Sequence, residues 1–430
     1  MMLRNTLNTY TRSVLSLSNF YFICLTILLI VEINLFTTWR TDVDPHRLVF
    51  YFFGVQLLIA ILPLLLIKNK TIIASNKLDV RRAIPLSIAA VFGIYYAFNL
   101  LKPLIKGVVI SVRDSDILPQ IQRFCREMAA GRFPYTPFND FGWPMTPTYL
   151  PAHWLPYLPI ELVKIDPRYV TFSVFTLVYL IFLTKMIKNG LSFFTGIVLL
   201  ALPIFLISVV LQYDPAIWSI TVEQLIMAYY LLLCVSLTTD SKAFQIVAIV
   251  LCLMSRFALI FWLPLFVFML CTKEGTRSTI RFCAWIAVGC AALYGPFLLR
   301  DPHIFSNAQT YYDLASVGEW TRSEKPVHMY NGLSFTLYFF EKAGEVVLKI
   351  ASVKKYLLII TPSVSVLLGA IWWRFKDKLD FSLFAICALK ISLAVFYALI
   401  TIPYSYLYVT PIIVSLAILY RFSVLIKSNY

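Results

Sequence analysis

Long runs of apolar residues, separated by short polar segments, recur along the whole chain. At about 20 residues each, such runs can cross the hydrocarbon core of a bilayer as helices. They are continuous and lack the period-two alternation of outer-membrane barrel strands. The pattern therefore predicts an all-α, polytopic helical membrane protein with a single domain over residues 1–430. The predicted spans are 15–37, 48–67, 84–101, 168–187, 191–211, 217–238, 282–300, 356–373, 380–398 and 403–420.

Two further apolar segments do not fit a simple span. Residues 243–271 have basic flanks at both ends and Ser255-Arg256 in the middle, so we interpret them as a hairpin of two short helices that turns near Ser255. Residues 334–352 are apolar but interrupted by acidic and basic residues, a pattern typical of an amphipathic helix at the membrane interface. The chain is thus expected to have about ten full spans plus a helical hairpin.

Charge fixes the orientation of these spans. The chain is 60% hydrophobic and only 14% charged, with a net charge of +15, whereas soluble chains carry about 25% charged residues. In a soluble protein such a charge would suggest nucleic acid. Here the positive residues collect in short loops, so the positive-inside rule explains the charge and we expect no nucleic-acid partner. The termini are then cytoplasmic, and two long loops, at about 102–167 and 301–355, lie on the outer face. The basic residues that mark the inner loops and the C-terminus are Lys68, Lys70, Lys77, Arg81, Arg82, Lys185, Lys188, Lys273, Arg277, Arg281, Arg374, Lys376, Lys378, Arg421 and Lys427.

The first outer loop begins with two acidic residues, Asp114 and Asp116. After Asp116, apolar residues recur at helical spacing as far as Met128, and Gly131 is a natural stop. The spacing predicts a short amphipathic helix on the membrane surface with Asp116 at its N-cap position. Two compatible roles stay open for Asp116: a helix cap worth about 1 kcal/mol, or a general base whose carboxylate the cap holds in place. Asp114 alone is typical of a solvated loop acid.

The rest of this loop is rich in proline and aromatic residues, with seven prolines and eight aromatic residues between Phe133 and Pro159. Prolines remove backbone donors and fix φ, so this segment cannot form a regular helix. It suits either a cover over a cavity that grips sugar or lipid, or an aromatic belt at the interface. His153 has no second histidine or carboxylate at ligand spacing, so no metal site is predicted.

A few ionisable residues fall within the apolar segments, where a charge at a helix centre costs about 2.5–3.5 kcal/mol. Arg256, at the turn of the hairpin, suits a lipid phosphate or snorkelling towards headgroups. Glu223 suits the start of a helix, where an acid complements the dipole. Glu32 and Lys390 lie inside two of the spans and are candidates to pair with each other or with other groups.

The order of these features resembles the glycosyltransferase-C superfamily, and most closely the family 87 type, the mannosyltransferase-like enzymes that use polyprenol-phosphate sugars. Two departures stand out: two or three spans precede the acidic loop where many members have one, and the Tyr-Pro-Pro-like motif ends in Tyr149-Leu150-Pro151. The resemblance covers residues 113–410 in short motifs: Asp116 with its helix and Gly131-Arg132-Phe133-Pro134-Tyr135, then Pro147-Thr148-Tyr149-Leu150-Pro151, Leu155-Pro156, Thr221-Val222-Glu223-Gln224-Leu225, Leu253-Met254-Ser255-Arg256-Phe257, Asn331-Gly332-Leu333-Ser334, Tyr404 and Tyr406.

This resemblance implies an inverting transfer of a hexose from a polyprenyl-phosphate sugar donor to a hydroxyl of a lipid or glycan acceptor. The charge pattern would place this reaction on the outer face, and the absence of an N-x-S/T sequon from the outer loops suits a bacterial inner membrane. Asp116 would be the general base, with Asp114 as the second choice, and Arg256 with Arg113 would bind the donor phosphate. No cofactor is required by the resemblance, and a divalent cation is optional. The substrate contacts that it implies are Tyr135, Tyr149, His153, Glu223, Asn331, Ser334 and Tyr404.

Three other classes of protein stay open. A transporter or flippase of lipid-linked glycan has a similar number of spans, but it predicts charged or broken helices at the midplane and internal repeats. An O-antigen polymerase-like or ligase-like envelope enzyme also carries large outer loops, and a noncatalytic assembly protein is the third alternative. A transfer assay with a labelled polyprenyl-phosphate sugar distinguishes the glycosyltransferase hypothesis from all three alternatives.

Overall fold

The computed structural model describes residues 2–67, 80–331 and 333–428, with side chains for 19–67, 81–330 and 333–426. Over this part the chain is helical and contains no β-strand, only one isolated bridge between Phe138 and Met145. The all-α prediction is confirmed. The helices are α1 (Met2–Phe36), α2 (Pro45–Leu66), α3 (Val80–Gly107), α4 (Ile117–Ala129), α5 (Pro151–Trp154), α6 (Leu158–Leu162), α7 (Pro167–Lys188), α8 (Phe193–Tyr213), α9 (Ala216–Ser219), α10 (Glu223–Leu237), α11 (Lys242–Leu253), α12 (Leu263–Glu274), α13 (Thr276–Arg300), α14 (Ile304–Thr321), α15 (Val327–Asn331), α16 (Thr336–Phe340), α17 (Val346–Phe375), α18 (Phe381–Ala398) and α19 (Val409–Ser428).

Nine of the described helices are long and apolar enough to cross a membrane: α1, α2, α3, α7, α8, α13, α17, α18 and α19. The predicted span 217–238 is divided into α9 and the 15-residue α10. At a rise of about 1.5 Å per residue α10 is shorter than the bilayer core, but every one of its residues is buried by neighbouring helices. The nine long apolar helices confirm the prediction of a polytopic helical membrane protein, and α10 is a shorter apolar helix buried among them.

The helices differ in how deeply they lie in the bundle. The apolar windows of α18 and α19 are 89% and 94% buried, whereas those of α3 and α13 are only 22% buried. Helices surrounded by other helices are apolar on all sides, while peripheral ones turn an apolar face to lipid. We conclude that α18 and α19 form the centre of the bundle and that α3 and α13 lie at its edge.

The segment 243–271 forms the predicted hairpin. Helices α11 and α12 have 12 residues each and are joined by a 3₁₀ turn at Phe257–Phe261, directly after Arg256. The turn is anchored from both sides, because Trp262 Nε1 donates to the Ala385 carbonyl at 3.1 Å and Ser365 Oγ donates to the Phe261 carbonyl at 2.7 Å. Neither helix is long enough to cross a bilayer alone, so Arg256 lies at the apex of a re-entrant pair.

The helix ends form two groups. At one, which we call the basic end, Asn189 contacts the Tyr420 hydroxyl at 2.6 Å and Arg421 pairs with Asp380 at 2.7 Å. At the other, the loop end, lie the long connections 108–166 and 301–345. The predicted basic loops thus share one face and the two predicted outer loops share the other. The predicted markers Lys68, Lys70 and Lys77, and the side chain of Lys427, lie outside the described residues.

The amphipathic surface helix predicted for 334–352 is wrong. The chain forms the five-residue α16, breaks at 341–345, and then enters α17, which runs for 30 residues from Val346. Gly344, within the break, has φ +125°, a conformation that side chains disfavour. Lys349 Nζ donates to the Phe340 carbonyl at 2.9 Å across the break. Residues 346–352 therefore extend a span and do not form a separate interfacial helix.

Arg168, in the first turn of α7, binds the end of α3. Its guanidinium donates to the carbonyl oxygens of Ile105 and Val108, at 2.8 and 2.9 Å, and to that of Ser219 at 3.2 Å. Asp166 holds the guanidinium in place at 2.6 Å. A cation at a helix C-terminus satisfies carbonyls that have no partner within the helix. This contact fixes the point from which the first long connection leaves the bundle.

The centre of the bundle contains a fully buried ion pair between Glu32 of α1 and Lys390 of α18, both 0% exposed. Lys390 Nζ also donates to the Pro411 carbonyl at 2.9 Å, and Ser415 Oγ donates to the second Glu32 oxygen at 2.7 Å. Of the two possibilities that the sequence left open, pairing with each other is the one observed. The pair connects α1, α18 and α19.

Candidate functional site

A second buried ion pair lies at the loop end, between Arg256 at the hairpin apex and Glu223, the first residue of α10. Their side chains are 13% and 1% exposed. Glu223 Oε2 and Arg256 Nε are buried and have no hydrogen-bond partner among the described residues. Buried polar atoms without partners are rare in proteins and mark places where water or a ligand binds. The pair therefore has unused hydrogen-bonding capacity that is directed into the protein.

The first long connection docks directly on this apex through α5. Ala152 N donates to the Met254 carbonyl at 2.9 Å, and His153 Nδ1 lies 3.4 Å from the Ser255 carbonyl oxygen. His153 also stacks on Tyr149, with ring centroids 4.4 Å apart and an interplanar angle of 9°. Two predicted substrate contacts, Tyr149 and His153, are thus brought next to Arg256.

His153 is neutral in this position. Burial, followed by the charge of Arg256, lowers the pKa of His153 to about 3. Because a carbonyl oxygen only accepts, the contact with Ser255 assigns the proton to Nδ1 and leaves Nε2 as an acceptor. Nε2 is buried and has no partner among the described residues. The His153 ring therefore offers a free acceptor to a hydroxyl, next to a guanidinium.

Aromatic side chains extend from Arg256 to the surface in what we call the aromatic row: Tyr406, Tyr404 and His328. The Arg256 guanidinium carbon lies 5.8 Å from the Tyr406 ring centroid, and the Tyr406 and Tyr404 rings are stacked at 5.3 Å. His328, with a side chain 33% exposed, meets Tyr404 edge-on at 4.5 Å. Stacked tyrosines present flat apolar faces with polar edges, a surface suited to sugar rings.

Asp116 occupies the predicted position at the head of α4, but its carboxylate does not cap the helix. Its backbone is already helical, with φ −83° and ψ −11°, so the side chain points along α4 and accepts from Gln120 Nε2 at 3.2 Å. Ser115 Oγ instead accepts from Ile117 N at 3.2 Å. The expectation that a cap holds the base is therefore wrong, and the Gln120 amide is the group that orients the Asp116 carboxylate.

The surroundings of Asp116 raise its proton affinity. Burial raises the pKa of the half-buried Asp116 carboxyl, the Gln120 hydrogen bond opposes this, and the Glu319 carboxylate adds to it. After burial, the Asp116 carboxylate is the next contribution that raises the pKa of both Tyr149 and Tyr311. The Asp116 carboxylate is therefore within electrostatic range of Tyr149, which in turn stacks on His153. The carboxylate and the Arg256 apex share one polar region at the loop end.

Other predicted site residues have different surroundings. Arg113 and Asp114 are exposed, whereas the Arg256 side chain is only 13% exposed. Tyr135 is buried, donates to the Tyr149 carbonyl at 3.0 Å and accepts from Trp154 Nε1 at 3.2 Å. Its hydroxyl therefore organises the loop.

Ser334 and Asn331 belong to the segment after the second long connection. Ser334 is buried and donates to the Ala398 carbonyl at 2.7 Å, so its hydroxyl holds this segment against the end of α18. The side chain of Asn331 lies outside the described residues.

The structure adds residues that the sequence pattern did not single out. Tyr311 of α14 reaches Met145 Sδ at 2.7 Å, and Gln120 Nε2 approaches the same sulfur at 3.6 Å. The two long connections thus meet beside Asp116. The available signal was the Tyr311-Tyr312-Asp313 run in the second connection, but without a known partner its position could not be derived.

Among the described residues, no three His, Cys, Asp or Glu side chains come together as metal ligands. Comparison of the chain with protein-family models, curated proteins and solved structures found no match.

Proposed function

We propose that this membrane protein is an inverting glycosyltransferase of the glycosyltransferase-C type, which moves a hexose from a polyprenyl-phosphate donor to an acceptor hydroxyl. The observation that supports this most is the convergence of Asp116, the Tyr149–His153 stack and Arg256 at the loop end of the bundle. A base, a sugar-sized aromatic surface and an anion-binding group are the parts that such a reaction needs.

Asp116 suits the role of general base. Its carboxyl is half-buried, and its pKa is raised above that of a free aspartate. This brings the pKa of the base closer to the pH at which the enzyme works. Gln120 fixes one carboxylate oxygen, so the other is free to accept the proton of the acceptor hydroxyl. That hydroxyl then attacks the anomeric carbon as the bond to the donor phosphate breaks.

Arg256 suits the departing lipid phosphate. A guanidinium presents several donors in a plane and matches phosphate oxygens. In this proposal the donor enters laterally from the bilayer and its phosphate binds at the hairpin apex. Glu223 compensates Arg256 when no phosphate is bound, which allows the cation to stay buried.

Transfer by the purified protein, measured with a panel of labelled polyprenyl-phosphate sugars, tests this proposal. We expect Asp116→Asn to lower turnover by about 10²–10⁴-fold, the usual contribution of a general base. The matched control is Asp114→Asn, two residues away and exposed, which we expect to keep its activity. Full transfer by Asp116→Asn, at unchanged thermal stability, would rule out Asp116 as the base.

Arg256→Lys keeps the charge but loses the planar donor set, so we expect a raised KM for the donor at an unchanged KM for the acceptor. Unchanged donor kinetics would contradict the phosphate role. If no sugar of the panel is transferred, and a lipid-linked glycan instead crosses the membrane of liposomes that contain the protein, the protein is a flippase and the glycosyltransferase hypothesis is wrong.

We place the reaction on the extracytoplasmic face of a bacterial inner membrane, with both termini in the cytoplasm, because the loop end lies opposite the basic loops. Single cysteines at exposed Glu324, of the loop end, and exposed Asp377, of the basic end, test this in whole cells, in a variant whose eight native cysteines are replaced by serine. A membrane-impermeant maleimide should label Glu324→Cys and spare Asp377→Cys. The reverse pattern would invert the topology.

A further inference from the structure

A groove at the loop end of α13 is separate from the residues of the site described above. It has a volume of about 440 Å³ and lies between the last turns of α13 and the chain that follows α4. Apolar side chains form most of its wall, among them Phe133, Leu155, Leu293 and Pro296. It is thus a slot for an apolar chain, built where a predicted span reaches the membrane surface.

The surroundings of the groove are those of a lipid contact. Only 22% of the apolar window of α13 is buried by other helices, and Leu299, next to the groove, is 89% exposed. An exposed leucine of this kind on a spanning helix faces the hydrocarbon of the bilayer. The groove is therefore open to the membrane.

Two arginines, Arg132 and Arg300, belong to the lining. Arg132 is compensated by Glu127, whose carboxylate it binds at 2.6 Å. Arg300 has no ion pair among the described residues, and its guanidinium carbon lies 4.9 Å from the Phe133 ring centroid. The neighbouring Asp301 carboxylate accepts from His303 N at 2.9 Å. One guanidinium is thus left to attract an anion where the apolar slot meets the interface.

We propose that this groove binds one anionic bilayer phospholipid, with its phosphate at Arg300 and one acyl chain along Phe133, Leu293 and Pro296. The charge of Arg300 and the apolar wall match the two halves of such a lipid, and the exposed face of α13 gives it direct access. A bound lipid holds the segment after α4 against α13. Lipid binding does not depend on the transfer reaction, and the two are measured separately.

Native mass spectrometry of the purified full-length protein, titrated with phosphatidylglycerol or phosphatidylcholine, tests the site. We expect one tightly retained phosphatidylglycerol, and about fivefold weaker retention in Arg300→Gln, the effect of one basic residue near an anionic surface. Leu293→Trp fills the slot and should remove the tight site. The matched controls are Arg47→Gln, an exposed arginine at the same end, and Val288→Trp, an exposed position on the same helix outside the groove. Both should retain the lipid.

Equal retention in Arg300→Gln, Leu293→Trp and the parent protein would overturn the site. So would an equal loss in Arg47→Gln, since the effect would then be one of general surface charge. Displacement of phosphatidylglycerol by an equal concentration of polyprenyl phosphate would assign the groove to the isoprenoid lipid and overturn the phospholipid as its occupant. Preference for phosphatidylglycerol over phosphatidylcholine, lost only in the two groove variants, supports it.

Discussion

The buried pair of Glu32 and Lys390 gives a prediction about stability that can be worked out from its contacts. Both side chains are 0% exposed, and both Glu32 oxygens and the Lys390 ammonium are hydrogen bonded, to each other, to Ser415 and to the Pro411 carbonyl. Lys390→Met removes the cation and leaves a carboxylate buried in an apolar bundle. Glu32→Leu removes the anion and leaves an ammonium with one carbonyl.

The expected change in the free energy of unfolding depends on whether one partner of the buried pair is removed or both are replaced. Loss of one partner of such a pair costs about 3–5 kcal/mol, because the remaining charge is uncompensated. Replacement of both partners by apolar residues of similar size is about neutral or stabilising, by up to roughly 4 kcal/mol. We therefore expect each single variant to be strongly destabilised, and the double variant Glu32→Leu/Lys390→Met to recover most of the loss.

Unfolding in mixed micelles with increasing denaturing detergent, followed by tryptophan fluorescence, gives the free energies for this double-mutant cycle. The control is Lys342→Met, a charged residue at an exposed position of the loop end, which should change the free energy of unfolding little. Additive losses in the double variant would show that Glu32 and Lys390 do not interact. Single losses below about 1 kcal/mol would contradict burial of the charges.

Three further predictions follow from other contacts. Arg168→Ala leaves the carbonyls at the end of α3 without their donor and should cost about 3 kcal/mol in the same unfolding assay, with no rescue by Arg168→Lys, which lacks the planar fork. The pKa of Asp116 is raised above the ordinary value of 3.8, and a general base must be ionised to act. The rate of transfer should therefore fall as the pH drops through this raised pKa. A pH–rate profile with no acidic limb above pH 3.8 would contradict the prediction. Gly289→Ala places a Cβ 2.8 Å from Val250 Cγ2 and should lower the free energy of unfolding by about 1–3 kcal/mol. Adding Val250→Ala should recover part of this loss. An equal loss in the double variant would show that the contact with Val250 is not the cause.

The large elements of the fold could be predicted from the sequence because they depend on local composition. The apolar runs gave the spans, and the alternation of basic loops required a turn near Ser255, where the hairpin apex lies. These features need no knowledge of which helices touch. Helix α14, with 18 residues, was not anticipated, because its mixed sequence lacks a clear apolar stripe.

The contacts between distant parts of the chain could not be derived in this way. Glu32 and Lys390 are 358 positions apart, and their meeting depends on α1, α18 and α19 packing at one place. Arg256 and Glu223 are 33 positions apart, so their pairing depends on how the hairpin folds back. The error at Asp116 is of another kind: α4 begins at Ile117, as the predicted cap requires, but the backbone of Asp116 is itself helical and its side chain does not cap the helix. Sequence spacing fixes the helix boundary and not the backbone angles of the residue before it.

The two buried ion pairs differ in a way that separates structure from function. Among the described residues, every buried polar atom of Glu32 and Lys390 has a hydrogen-bond partner. Glu223 Oε2 and Arg256 Nε are buried there without a hydrogen-bond partner. A fully bonded pair has nothing left to offer a ligand, while a partly bonded one next to the free Nε2 of His153 does. Replacing both members by apolar residues of similar size should therefore have opposite consequences. Glu32→Leu/Lys390→Met should keep both folding and transfer, whereas Glu223→Leu/Arg256→Met should keep folding and lose transfer; equal activity in the two double variants would remove Glu223 and Arg256 from the site.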